Sequence, residues 1–244
     1  MRDVLKILGI KIDRLDMQNS VERVKALLDD DNASLVVTPN SEMIAMAAED
    51  ASLAEILNSA DLATADGAGV VLASLILGDK LPERVAGFDL ISNLFAELEN
   101  ADRSFYFLGS KPGIVDKAAE ELKKRHPNLK IAGFHHGYLD REMQEQVIDE
   151  INEKDVDLLL VGMGVPLQER FLNNNLHRLN VKAALAVGGS FDVIAGEVNR
   201  APLWMQKAGL EWFYRLLQEP SRFGRMLSLP KFIYLVIKSR YFRE

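Results

Sequence analysis

The stretch DLLLVGMGVPLQERFLNNNL, residues 157–176, decides how the rest of the chain is read. Leu158–Val161 is an apolar run without charge, the pattern of a strand covered on both faces. Gly162 and Gly164 break the run, and helical spacing takes over from Leu167 to Leu176. Working outward, the same order of strand, turn and helix recurs. Strands are predicted at Leu5–Ile12, Ser34–Thr38, Leu62–Thr64, Ser104–Leu108, Leu129–Gly133, Asp157–Val161 and Ala183–Val187. Helices are predicted at Ser20–Leu28, Ser41–Ala48, Ser52–Leu57, Ala68–Leu77, Leu90–Leu98, Ile114–Arg125, Arg141–Asn152 and Leu167–Leu176. Strands alternating with helices make an α/β protein with a largely parallel sheet and helices on both faces. Several strands end in Gly, Asn, Pro or Asp, at the sheet edge where open α/β folds bind ligands. Glu99–Ser104 is the best seam in this body but is short, so residues 1–202 are read as one unit.

The chain has 244 residues, 48% hydrophobic and 27% charged, an ordinary globular composition. It has no cysteine, which excludes a disulfide framework, cysteine-ligated zinc and a thiol nucleophile, and fits a reducing cytoplasm. Arg2, Asp3, Lys6 and Lys11 leave no apolar core for a signal peptide. No stretch approaches the ~18 uninterrupted apolar residues of a membrane span. The net charge of −7 argues against nucleic acid as a partner.

That charge is unevenly spread. From Leu203 to Glu244 there are eight basic and three acidic residues, a net +5, which leaves −12 on the preceding 202 residues. The same segment holds nine of the 18 aromatic residues, including Trp204 and Trp212. Cations mixed with amphipathic rings are the composition of a surface lying on anionic lipid, so residues 203–244 are read as an amphipathic helical appendage that meets a membrane. The plainer account packs these rings into the body or against a second copy in a homo-oligomer.

Three loops of the first half carry candidate chemistry. VVTPNSEM presents Thr38 and Asn40 at a strand end, where Asn40 or Ser41 also serves as a helix cap. LATADGAGV places Asp66 before a helix, as an N-cap or as a general base toward a bound hydroxyl. LPERVAGFD places Arg84 where it can pair with a phosphate or carboxylate. In the second half, FYFLGSKPGI and LLLVGMGVPLQERF put Gly109, Ser110, Gly162 and Gly164 between strand and helix, with Gln168 on the following first turn. Such glycines serve a diphosphate at a helix terminus or simply a tight crossover. Gly137 and Tyr138 follow another strand and complete the substrate-binding candidates. The spacing is neither G-x-G-x-x-G nor Walker A. Asp155-Val-Asp157 matches a D-x-D string that holds a metal in some enzymes, but it lies at the start of a strand, away from the ligand edge. His135 and His136 are expected on opposite sides of an extended chain. No metal site and no cofactor is predicted.

The block AVGGSFDVIAGEVNRAPLWMQKAGLEWFYRLLQEPSR, residues 186–222, resembles the signature of the WecG/TagA/CpsF glycosyltransferases. VVTPN, the ADG around Asp66, Arg84 with its GFD, FLGSKPG and GMGVPLQE fall in that family's order, so the resemblance spans essentially the whole chain. It implies a Rossmann-like, metal-independent enzyme at the inner face of the cell membrane. The implied reaction is inverting transfer of N-acetylmannosamine from a UDP-sugar donor to N-acetylglucosaminyl-diphospho-undecaprenol, forming the linkage unit of wall teichoic acid or a related envelope polymer. In that reading Asp66 deprotonates the acceptor's 4-hydroxyl, while Thr38, Asn40, Arg84 and Gln168 line the pocket. Arg215, Arg222 and Arg225 reach over it toward the diphosphate. Chemistry agrees: departing UDP gains negative charge, and arginine's planar fork binds phosphate oxygens while staying charged. The alternative is a peripheral-membrane Rossmann oxidoreductase or nucleotide-sugar epimerase, against which the missing G-x-G-x-x-G weighs.

Overall fold

The computed structural model describes residues 2–30, 32–218, 224 and 228–241. The chain opens not with one strand over Leu5–Ile12 but with an antiparallel hairpin, β1 (Val4–Ile7) and β2 (Ile10–Asp13). Leu8 and Gly9 both take positive φ, 48° and 85°, and turn the chain between paired Ile7 and Ile10. A two-residue turn of that hand matches strand twist and favours glycine at its second position. Its first position here is a leucine, so half of the usual turn signal is missing.

The remaining strands are β3 (Ser34–Val37), β4 (Leu62–Ala63), β5 (Ser104–Gly109), β6 (Lys130–His135), β7 (Val156–Gly162) and β8 (Val181–Ala186). They form a six-stranded sheet in the order β4-β3-β8-β7-β5-β6, with every neighbouring pair parallel. Parallel strands need crossovers, and helices supply them: α1 (Met17–Leu28), α2 (Ser41–Ala47), α3 (Ala51–Ser59), α4 (Ala68–Leu77), α5 (Gly87–Leu98), α6 (Ile114–Arg125), α7 (Arg141–Glu153), α8 (Leu167–Asn175) and the short α9 (Ser190–Ile194). Several helix starts are fixed by carboxylates or amides. Asp16, Asn40, Asp50 and Asp140 each accept a hydrogen bond from the backbone N–H three residues on.

Side chains alternate across the sheet into two cores. Tyr106, Leu108, Leu159 and Val161 face one core with α2, α3, α4, α7 and α8. Phe105, Phe107, Leu158 and Leu160 face the other with α1, α5, α6 and α9. Because both faces are covered, FYFL and LLLV run without a charged residue.

Among the described residues the body is followed by α10 (Leu203–Lys207), α11 (Glu211–Gln218) and a C-terminal helix over Ser228–Tyr241. The last packs along α2 and α4 and buries Phe232 and Val236 in the first core. Its Tyr234, Ile237 and Tyr241 remain exposed, as do Trp204, Trp212 and Phe213 earlier in the segment. None of the described helices is long and apolar enough to cross a membrane.

Candidate active site

All six parallel strands end at one edge, and there the loops after β3 and β4 meet. The Asp66 N–H donates to the Pro39 and Thr64 carbonyls, which ties the two strand ends together. Beyond it, the 81–86 segment runs back beside β4: the Val85 N–H donates to the Ala65 carbonyl and the Thr64 hydroxyl to that of Val85. This return brings Arg84 and Gly87 to Asp66. Gly87 lies against Thr38, where an added Cβ would stand 3.0 Å from Oγ1, and Gly67 lies beside Asn40. Thr38, Asn40, Asp66 and Arg84, scattered over 46 positions of sequence, thus share one corner of the sheet edge.

Asp66 does not cap α4. The cap position is Gly67, with no side-chain hydrogen bond, whereas Asn40 does cap α2 by accepting from the Met43 N–H at 3.0 Å. Among the described residues the Asp66 carboxylate has only a long contact, 3.5 Å, from the Gly87 N–H. Burial raises its pKa to about 6, against the opposing pull of Arg84 and Arg215; Glu211 pushes the same way as burial. A half-buried carboxylate with spare acceptor capacity, ionised just above pH 6, is suited to take a proton near neutrality.

The charges around it come from both ends of the chain. The Arg84 Nη1 donates to Glu211 Oε2 at 2.9 Å, and Asp89 lies 3.5 Å from its other nitrogen. Asp89 in turn holds Arg200 through two bonds of 2.6 Å, and Arg200 reaches Glu211 at 3.5 Å. Two arginines and two carboxylates so clamp α11 to the start of α5. Arg215 lies one turn beyond Glu211 and acts on Asp66 electrostatically. Asp89, Arg200 and Glu211 were not singled out from the sequence. The pattern between Arg84 and Glu211 spans 127 positions, and no local periodicity announces it. Arg222 and Arg225 lie outside the described residues.

The second group of candidates lines the other half of the same edge. Gly109 and Gly162 end β5 and β7 in direct backbone contact: a Cβ on Gly109, whose φ is +154°, would come within 2.4 Å of the Gly162 carbonyl oxygen. The Ser110 N–H donates to that same carbonyl, and the Gly137 N–H donates to the carbonyl of Ser110. The Ser110 hydroxyl donates to Asp192 Oδ1 at 2.7 Å, adding a carboxylate from α9. Gly164 faces open space and Tyr138 is exposed. Gln168 is buried, its Oε1 accepting from the Gly188 N–H at 3.0 Å and its Nε2 donating to Glu169 at 2.7 Å. The two halves meet at β8, where the Thr38 hydroxyl reaches the Ala186 carbonyl at 3.4 Å.

Two other motifs resolve differently. Asp157 accepts from the Ser104 N–H and from Arg103 at the opposite edge of the sheet, at the start of β7. His135 and His136 do not point apart: their ring centroids are 4.3 Å from each other. β6 ends at His135, so alternation of side chains stops there and the next ring folds back. Among the described residues no group of three or more acidic or histidine side chains is placed to hold a metal ion.

Known proteins resemble this chain over most of its length. A family model described as Glycosyl transferase WecG/TagA/CpsF family matches residues 5–244. A protein of Bacillus spizizenii strain W23 is 36% identical over 211 residues, covering 86% of this chain and 81% of its own length. One from Bacillus subtilis strain 168 is 34% identical over 88% of this chain and 83% of its own length. One from Staphylococcus aureus strain MW2 is 34% identical over 96% of this chain and 92% of its own. All three are named N-acetylglucosaminyldiphosphoundecaprenol N-acetyl-beta-D-mannosaminyltransferase. The dinucleotide-binding alternative finds no support among them.

Proposed function

The chain belongs to the WecG/TagA/CpsF family of glycosyl transferases, and we propose that it moves N-acetylmannosamine from UDP to the 4-hydroxyl of GlcNAc-diphospho-undecaprenol with inversion. The observation that carries this reading is Asp66: unbonded as a cap, its pKa raised to about 6, and flanked by Arg84 and the tail's Arg215. In the reaction the acceptor hydroxyl gives its proton to Asp66, and its oxygen attacks the anomeric carbon. The bond from that carbon to the diphosphate breaks, and UDP leaves with the electron pair. Negative charge then grows on the diphosphate oxygens, where fixed cations lower the barrier most because they are already oriented. In this reading Arg84 and Arg215 supply those cations, and Arg222 and Arg225 join them. The open backbone at Gly164 and the exposed ring of Tyr138 offer a bed for the nucleotide beside them.

The lipid-linked acceptor implies work at a membrane surface, and the exposed aromatics with the cations of residues 203–244 support peripheral attachment at the inner face through that segment. The enzyme is proposed to need no metal, the arginines taking the cation's part. Incubation with UDP-ManNAc and a lipid-diphosphate-GlcNAc acceptor, with and without chelator, tests the reading by product mass. The expected product is heavier by one N-acetylhexosamine in both samples. Absence of that product, or its appearance only with added divalent cation, counts against it.

A further inference from the structure

α4, a helix of the body, has a face that the described residues leave uncovered. Its sequence AGVVLASLIL has no charged residue, and while Val70, Ala73 and Ser74 are buried, Leu72 and Leu75 are 47% and 50% exposed. An apolar helix facing solvent beside an active site is unusual for a surface that meets only water. The C-terminal segment borders it along its whole length. The turn at Gly209 presses on Ala68 at its start, Leu229 on Gly69, and the Arg240 guanidinium lies beside Gly78 at its end. The exposed leucines lie on the helix against which the C-terminal helix packs, and that helix displays Tyr234, Ile237 and Tyr241 to solvent.

We propose that the Leu72–Leu75 face of α4 enters the headgroup region of an anionic bilayer together with the tail, and that this seats Asp66 at the depth of the acceptor's diphosphate. The inference rests on the proposed transfer to a lipid-linked acceptor. Charge complementarity selects lipid as the occupant. Lys6 and Arg240 line a cleft of about 450 Å³ against Leu77, and Lys80 and Lys238 lie exposed nearby. Two carboxylates of the flanking segments are engaged, Asp79 with Arg14 and Glu49 with Lys231. Apolar residues rimmed by tyrosines and cations match the boundary between acyl chains and anionic headgroups. α4 begins two residues after Asp66. At about 1.5 Å per residue, Leu72 and Leu75 lie roughly 6 and 10 Å along the axis from its first residue, within the reach of a headgroup layer.

The absence of cysteine permits a clean test. A single cysteine at position 75 (L75C) is labelled with nitrobenzoxadiazole and mixed with vesicles of phosphatidylglycerol and phosphatidylcholine, alongside the same label at Glu120 (E120C) on α6. Emission is expected to rise about twofold and shift to the blue at position 75, with no change at position 120. An unchanged position 75 on protein that co-sediments with the vesicles overturns the inference and leaves attachment through the tail standing. A change that follows protein concentration without vesicles makes the face a contact between copies and also overturns it. If the unlabelled protein does not co-sediment at all, the membrane part of the proposed function fails and this falls with it. Separately, Leu72→Gln with Leu75→Gln is expected to slow transfer to a vesicle-embedded acceptor about tenfold or more while leaving transfer to a short-chain, water-soluble acceptor unchanged. Equal rates on both acceptors, relative to the unaltered protein, contradict it.

Discussion

Asp66 and Glu169 are two carboxyl groups whose acidity the fold weakens, in different surroundings. Asp66 opens toward the sheet edge with Arg84 and Arg215 in its field. Glu169 is fully buried on α8: one oxygen accepts from Gln168, the other has no partner, and burial lifts its pKa to about 7. The sign of its effect on stability follows. Between its unfolded pKa near 4.5 and about 7 the folded protein keeps a proton that the unfolded chain has lost, so stability falls as pH rises through that window, on the order of 3 kcal/mol in all. Thermal melts from pH 5 to 9 are expected to show this decline, and Glu169→Gln should flatten it. Parallel curves for the two proteins contradict the assignment. At this scale the sequence showed Asp66 at the end of a strand but not its freedom, because a carboxylate before a helix reads equally as a cap. The structure separates the readings by giving the cap position to Gly67.

At the scale of elements, α11 carries opposite charges one turn apart on the side turned to Asp66. Glu211 pairs with Arg84 and raises the pKa of Asp66, whereas Arg215 lowers it. The two are separable by the pH dependence of turnover. Glu211→Gln is expected to move the acidic midpoint of the rate profile down from about 6, and Arg215→Ala to move it up, with a lower rate at every pH from loss of the proposed leaving-group cation. Shifts of the same sign in both variants contradict the placement of α11. The strands were easily read because sheets covered on both faces leave runs such as LLLV and FYFL. The hairpin at Leu8 and Gly9 was not, since a leucine at positive φ gives no turn signal. Nor was the clamp of Arg84, Asp89, Arg200 and Glu211, whose members are drawn from α5, α11 and the loops before α5 and α10.

Taken whole, the molecule closes its own first core with its last helix. Phe232 and Val236 fill the groove between α2 and α4, so removing residues 203–244 uncovers Met43, Val70 and their neighbours. The truncated body is expected to melt at lower temperature or to self-associate, as light scattering would show; an unchanged monomer of unchanged stability contradicts that packing. Truncation therefore confuses folding with catalysis, and single substitutions at the site are the cleaner probes. The most direct of them is the single-turnover rate of Asp66→Asn with UDP-ManNAc and the lipid-diphosphate acceptor, measured beside its affinity for UDP at pH 7.5. Affinity within about twofold of the unaltered protein, a melting temperature no lower and a rate reduced roughly 10²–10⁴-fold, the usual contribution of a general base, are expected. A rate within tenfold of the unaltered protein would contradict the role given to Asp66.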